Sequence, residues 1–416
     1  MFAMGVVMLQ IHAWSPLFVL GWITAASVSA EPIEVAAYEK DCWKLEYSPD
    51  GKRFVTLPNN EGAMKLWDAA TGKLIWEVEK TGKNALAFSP DGKTIAVGSW
   101  RKVHLYEAGT GKHQREIASA GENSVSCIAF SPDGSKFALV TGESNMVEVF
   151  EFDSGKKILS LTAPMDKPEK GTGGISRVAF SPDGETLVAS CGGKGWPDYV
   201  GKDSVIAVWD VKTWKLRKSF TASTHNVNDL VISPDGKLIA ASCHRGREVK
   251  IWKMPLPPEE ERIAPEVIAE LVKQLDADAF GKREAAERKL REIGLPAREQ
   301  LLKALDGVSA EAAFRARKIL AGMKEEDDSR LHLIKIGSDF QTVAFSPDGR
   351  FLATGSLSGN KHSVQIWKMG PELALQGSLN ERGSWIVRFS PDGKQLAQGT
   401  PGGAILLYDV KDVLPD

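Results

Sequence analysis

A four-residue string, Ser-Pro-Asp-Gly, recurs seven times in this chain of 416 residues, with its serines at Ser48, Ser89, Ser131, Ser181, Ser233, Ser346 and Ser390. Each copy stands between two short stretches in which apolar and polar residues alternate, as in "NALAFSPDGKTIAVGSW". Alternation with period two marks a half-buried strand, and a Pro-Asp-Gly turn between two such stretches makes a hairpin. Proline presets φ, the aspartate carboxylate accepts turn N–H groups, and glycine supplies the positive φ that closes the loop. The seven aspartates are therefore structural. A unit repeated at about 40–45 residues stacks on its neighbours around one shared core, so length alone does not imply two or three ordinary domains.

A third alternating stretch follows each hairpin and ends in an aromatic residue, usually followed by an acid. These pairs are Trp67-Asp68, Tyr106-Glu107, Phe150-Glu151, Trp209-Asp210, Trp252-Lys253, Trp367-Lys368 and Tyr408-Asp409. A second turn, "DAATGK" at Asp68–Lys73 or "EAGTGK" at Glu107–Lys112, leads to a fourth stretch such as "LIWEVE". Each unit reads as a four-stranded antiparallel sheet. Seven of them arranged radially make an all-β, seven-bladed β-propeller. The aromatic–acid pairs and both turn types resemble the WD-repeat family across Glu31–Met254 and Arg330–Asp416. The resemblance implies a scaffold that binds other proteins. The family's Gly-His pair is nearly absent. Only His225 stands where that histidine would, with Ser242 and Trp252 as partners, and Asp203 resembles the family's tight-turn aspartate without a histidine beside it. Packing between blades is expected to carry more of the stability than internal polar networks.

The last repeat ends after its third strand, at "AILLYDV". The stretch "IEVAAYE", Ile33–Glu39, is expected to supply the missing fourth and so remove the open edges of the ring.

One interval departs from the others: 113 positions separate Ser233 from Ser346. The excess begins after "EVKIWKMP" with an extended charged linker, "PLPPEEER", and the apolar period then changes from two to 3.6. Val267, Ile268, Leu271, Val272 and Leu275 are expected on one helix face, and Phe280, Ala285, Leu290 and Ile293 on another, with a stop at Gly294. Ser309 reads as an N-cap. Four helices are expected across 255–329, in a pattern similar to a pair of HEAT-type repeats. "EEDD" at Glu325–Asp328 reads as a solvated linker, and "LHLIKIG" as the postponed fourth strand of blade 5. As a connection between third and fourth strands, the insertion is expected on the same face as the Ser-Pro-Asp-Gly turns, leaning on the propeller.

Residues Met1–Ala30 contain no Lys, Arg, Asp or Glu and end in Val28-Ser29-Ala30 after an apolar run. This reads as a secretory signal cleaved after Ala30, giving a periplasmic or secreted protein; the missing positive n-region leaves an uncleaved anchor open. The formal net charge of −2 gives no pull toward nucleic acid or anionic membrane. The mature chain is expected to be monomeric, without membrane insertion. Cys42, Cys127, Cys191 and Cys243 form no CxxC pair and read as free thiols.

Two long connections, Ala163–Gly174 and Gly192–Asp203, lie on the face opposite the Ser-Pro-Asp-Gly turns. With the other loops of that face they offer Trp100, Arg101, Trp196, Tyr199, His244, Arg245, Arg247, Lys361 and His362 as candidates for binding a protein partner. No GxSxG, HExxH, glycine-rich phosphate loop or histidine pair at metal spacing is present. His104, His113 and His332 read as scattered over unrelated elements. No catalytic residue, metal or cofactor is expected. The competing reading is an enzyme or small-ligand binder centred on the propeller channel.

Overall fold

The computed structural model describes residues 31–414, except 40, 59–61, 80–84, 122, 142–145, 165–176, 192–203, 224–225, 244–246, 256–264, 294–296, 298–299, 303–304, 306–308, 323–329, 336–339, 358–362 and 380–381. The chain divides into two compact units, Pro255–Arg330 and the remainder.

Seven four-stranded antiparallel sheets form the larger unit, a seven-bladed β-propeller. The innermost strands of blades 1 to 7 are Cys42–Tyr47, Ala85–Phe88, Val125–Phe130, Arg177–Phe180, Val227–Ile232, Phe340–Phe345 and Ile386–Phe389. Each touches the next, and the seventh touches the first. The strands of each blade are lettered a to d outward. Ile33–Ala36 pairs antiparallel with Ala404–Asp409 as strand d of blade 7, in the register Ile33↔Leu407 to Ala36↔Ala404. Beyond that strand, the Tyr38 N–H donates to Gly403 O (3.1 Å) and the Tyr38 hydroxyl bonds Thr56 Oγ1 in blade 1 (2.7 Å). The N-terminal segment thus joins the last blade to the first.

The aromatic residues near the ends of the seven c strands are all buried, between 1% and 6% exposed. At roughly 1.5–3 kcal/mol per buried large side chain, they are major anchors of the core. Of the polar networks, short pairs are present: Trp67 Nε1 donates to Thr56 Oγ1 (2.9 Å) and Trp367 Nε1 to Thr354 Oγ1 (3.3 Å). His225 and Asp203 lie outside the described residues, and the buried Ser242 Oγ has no hydrogen bond among them.

The recurring turn is held by its own serine and aspartate. In blade 3 the Ser131 hydroxyl donates to Asp133 Oδ1 (2.6 Å) and the Ser135 N–H to the same oxygen (3.0 Å), while Gly134 takes φ 70°. The Ser131 hydroxyl, then the Ser135 backbone and side chain, draw the Asp133 carboxyl down to about 2 from an ordinary 3.8. A carboxyl depressed in the folded state stabilises the fold above its unfolded pKa, and this contribution fades as pH falls from about 4 to about 2. Melts followed by circular dichroism are expected to show Tm falling through that window. Ser131→Ala is expected to flatten the fall.

The turns also meet one another. A Cβ added at Gly92 would lie 3.4 Å from Pro49 Cδ of blade 1, and one at Gly51 would lie 3.6 Å from Pro391 Cδ of blade 7. The same glycine-on-proline contact recurs between every pair of neighbouring blades.

The smaller unit interrupts blade 5 between its c strand, Glu248–Lys253, and its d strand, Arg330–Lys335. It contains α1 (Pro265–Gln274), α2 (Phe280–Ile293) and α3 (Ala310–Gly322), and residues 300–302 are also helical. Ile268, Leu271, Val272, Leu275, Ala286, Leu290, Leu301, Ala312, Ala316 and Ile319 share one apolar core. Two residues expected inside are exposed: Val267 (49%) and Phe280 (57%). Ile268, Leu271 and Leu275 already complete a stripe at i, i+3 and i+7, which turns Val267 to its edge, and Phe280 is the first residue of α2. Ala285 is half-buried beside the buried Ala286. Ser309 caps α3, its Oγ accepting from the Ala312 N–H (3.3 Å). Among the described residues, no helix is long and apolar enough to cross a membrane.

Candidate functional site

The innermost strands bring charged side chains from non-adjacent blades together. Residues four and two positions before the turn serine lie on the same side of a strand. In blade 1 these are Lys44 and Glu46; Arg177 in blade 4, Asp229 in blade 5, Thr342 in blade 6 and Arg388 in blade 7 hold one or other of the same positions. Arg388 Nη1 lies 3.1 Å from Asp229 Oδ2, and Arg388 Nε lies 3.3 Å from Glu46 Oε1. Arg177 Nε approaches Asp229 Oδ1 at 3.6 Å, and the Thr342 hydroxyl donates to Asp229 Oδ2 (2.9 Å). A bond from blade 7 to blade 5 that skips blade 6 places this cluster on the propeller axis.

Burial alone would raise the Asp229 carboxyl, but Arg388, Arg177 and Thr342 outweigh it and hold it below the usual carboxylate range. Glu46 is raised, because burial exceeds the help it draws from Arg388. Lys44 is lowered to about 8, first by burial and then by the nearby Arg177. Its ammonium has no hydrogen-bond acceptor among the described residues.

Of the candidates on the loop face, Trp100, Arg101 and Arg247 fall within the described residues. Trp196, Tyr199, His244, Arg245, Lys361 and His362 lie outside them. Trp100 and Arg101 form the tight turn between strands b (Thr94–Ser99) and c (Lys102–Glu107) of blade 2. The backbone there is clamped to the connection leading into blade 3. The Arg101 N–H donates to Asn123 O (3.2 Å), the Ser119 N–H donates to Arg101 O (2.9 Å), and Trp100 bridges to Ser124. Trp100 itself is 62% exposed. Arg101 (φ 58°) and Arg247 (φ 51°) occupy the same place, one residue before strand c, in the left-handed region. Non-glycine residues adopt that region at a cost of about 1 kcal/mol or more. Blades 2 and 5 thus each carry an arginine with a left-handed backbone at the entry to strand c.

Besides the axial cluster, sequence reasoning missed two features. The smaller unit has a groove of about 490 Å³ lined by Gly281, Glu284, Ala285, Glu287, Arg288, Arg291, Phe314, Arg315 and Lys318. Its aromatic wall, Phe314, is 63% exposed, and Glu287 at its base lies within 3.3 Å of Arg291, Arg315 and Lys318. Both ends of this groove are spelled on helices read only for their apolar faces. The second feature corrects the expectation that the histidines are scattered. His104 on strand c of blade 2 and His113 on its strand d, His113–Ala118, stand with their rings 5.5 Å apart. Antiparallel pairing across a short turn brings together residues nine apart, a spacing that helix-based metal motifs do not show. His332 lies on another blade. The four cysteines are free, and burial pushes the Cys42 and Cys243 thiols up to about 12.

A closed ring of seven such blades, each with the Ser-Pro-Asp-Gly turn and most with the aromatic–acid strand end, defines a seven-bladed β-propeller. Residues 336–368 match the family model described as "WD domain, G-beta repeat", and residues 80–255 match "Lactonase, 7-bladed beta-propeller". THO complex subunit 3 of Arabidopsis thaliana is 26% identical over 214 residues, 51% of this chain and 62% of that protein. Telomerase Cajal body protein 1 of Homo sapiens is 25% identical over 257 residues, 56% of this chain and 42% of that protein. The chain spans less than two thirds of the length of either relative. The β-propeller domain of Cps50 (Swd1) from Myceliophteria thermophila superposes with a TM-score of 0.61 at 15% identity, over 90% of this chain and 98% of that domain. That likeness is one of fold.

Proposed function

We propose that this protein is an exported, monomeric and non-catalytic scaffold that binds another protein through the loop face of its propeller and through its helical insertion. The observation that carries the reading is the Trp100-Arg101 turn: a large apolar ring held in water by a backbone with little freedom to retract it. Rigid aromatic and arginine side chains are the usual energetic centres of protein interfaces. The charges on the axis are largely spent on one another, which supports binding at the rim over chemistry in the channel. THO complex subunit 3 is by its name a component of an assembly, and its similarity favours the same class of role. The charge-free leader supports export and release into the periplasm or medium. The helix pairs of the insertion support a HEAT-like reading, and the exposed Phe314 in their groove supports a protein-binding role. The near-neutral net charge gives no reason to expect nucleic acid.

Affinity capture from the native envelope tests this. Trp100→Ala is expected to weaken partner capture by about thirtyfold, the effect of losing ~2 kcal/mol at an interface centre. Undiminished capture by Trp100→Ala and by Arg247→Ala would remove the loop face from the reading. A chain lacking Pro257–Asp328 reports separately on the helices. One observation favours a second reading, a channel that binds a small anion or hydrolyses a lactone: Lys44 is lowered to about 8 beside two arginines, in a chain whose residues 80–255 match a lactonase model. Turnover of simple lactones that is lost in Lys44→Met would establish it.

A further inference from the structure

We propose that His104, His113 and Glu116 of blade 2 bind a divalent metal of the zinc type, with one coordination position left open. His104 Nδ1 lies 3.4 Å from His113 Nε2 and 3.3 Å from Glu116 Oε1. Both separations are longer than a good hydrogen bond to nitrogen or oxygen, which spans about 2.7–3.2 Å. They match the edges of a tetrahedron instead: bonds of about 2.0–2.1 Å to zinc hold ligand atoms about 3.3–3.4 Å apart. All three donor atoms lie within 4.8 Å of one another, so the remaining edge closes by rotation of the exposed Glu116 and His113 side chains. Two imidazoles and one carboxylate form a donor set that zinc uses where a fourth position is kept for water.

The neighbours of the three side chains fit the assignment. His104 Nε2 lies 2.9 Å from Ser99 Oγ, so with a metal on Nδ1 the ring proton sits on Nε2 and is donated to that hydroxyl. The Ser99 hydroxyl in turn faces Lys102 O at 3.4 Å. Lys102 Nζ holds Glu116 Oε2 at 2.6 Å and leaves Oε1 toward His104. The Tyr106 ring meets His113 edge-on at 5.3 Å. Such partners orient metal ligands, and losing one typically lowers affinity ten- to a hundredfold. The site lies on the two outer strands of the blade, away from the axis, and Ser99 directly precedes the Trp100 turn.

Titration of the full chain with zinc chloride, followed by calorimetry, tests the proposal. One equivalent is expected to bind. His104→Gln and His113→Gln are each expected to weaken it at least tenfold, Ser99→Ala about tenfold, and His332→Gln not at all. Unchanged circular dichroism checks the fold of each variant. Cobalt in place of zinc is expected to give the visible bands of a four-coordinate site without thiolate charge transfer. Zinc affinity equal in the wild type and the His104→Gln/His113→Gln double variant would overturn the assignment. So would a thiolate band, which would place the metal on the cysteines.

Discussion

A chain lacking Glu31–Glu39 is expected to be recovered as aggregates or oligomers rather than as a monodisperse monomer. Strand Ile33–Ala36 covers the outer edge of blade 7, and without it Ala404–Asp409 presents an unpaired edge to any other chain. The paired residues make about four ladder bonds, roughly 4 kcal/mol at ~1 kcal/mol each. Val35 and Ala37 are buried in the same cluster as Ile405 and Leu407, and Arg382 pairs with Glu34 at 2.6 Å. Against a typical total of about 5–15 kcal/mol, this is a large share. Size-exclusion chromatography with light scattering is the measurement. A soluble, monomeric truncation with an unchanged Tm would show that the ring does not depend on this closure.

Asp229→Ala is expected to cost about 3–5 kcal/mol, because it leaves Arg388 and Arg177 facing each other on the axis with one carboxylate, Glu46, between them and Lys44. Asp229 is 5% exposed, so water cannot take over its role without reorganisation of the innermost strands. Guanidinium unfolding of Asp229→Ala, Arg388→Met and the double variant forms the test. The double variant is expected to be less destabilised than the sum of the singles by at least ~1 kcal/mol, since the two groups share one network. Strict additivity would mean that the pair is not coupled. The same cluster decides how the channel is read: its carboxylates are engaged by arginines, and Lys44 is the axial cation without a hydrogen-bonded partner among the described residues.

Much of the architecture was legible in the residues because its causes are local. Proline, aspartate and glycine in one order make one kind of turn wherever they occur, and strict alternation around them leaves little choice but strands. The N-terminal strand followed from counting strands in the last repeat. The helical insertion followed from a change of period, although Val267 and Phe280 show that a period alone does not say which edge of a stripe is buried. On the loop face, the exposed Trp100 was legible as a large aromatic at a turn. That Arg101 and Arg247 share a left-handed backbone was not, because their residue type does not favour it.

The histidine pair and the axial cluster were illegible for a different reason. His104 and His113 meet through antiparallel pairing with a shifted register, in which His104 faces Glu116 and Tyr106 faces His113. Asp229 and Arg388 are 159 positions apart and meet only because the ring closes.

By itself, then, the chain's wording determined seven hairpins, their strands and the need for a closing strand, since each depends on torsional preference and on apolar period over a few residues. Only the tertiary structure decided what those hairpins touch: that every turn glycine rests on the preceding blade's proline, and which charges share the axis. Those contacts join residues far apart in sequence, and their free energy exists only once the circle of sheets is complete.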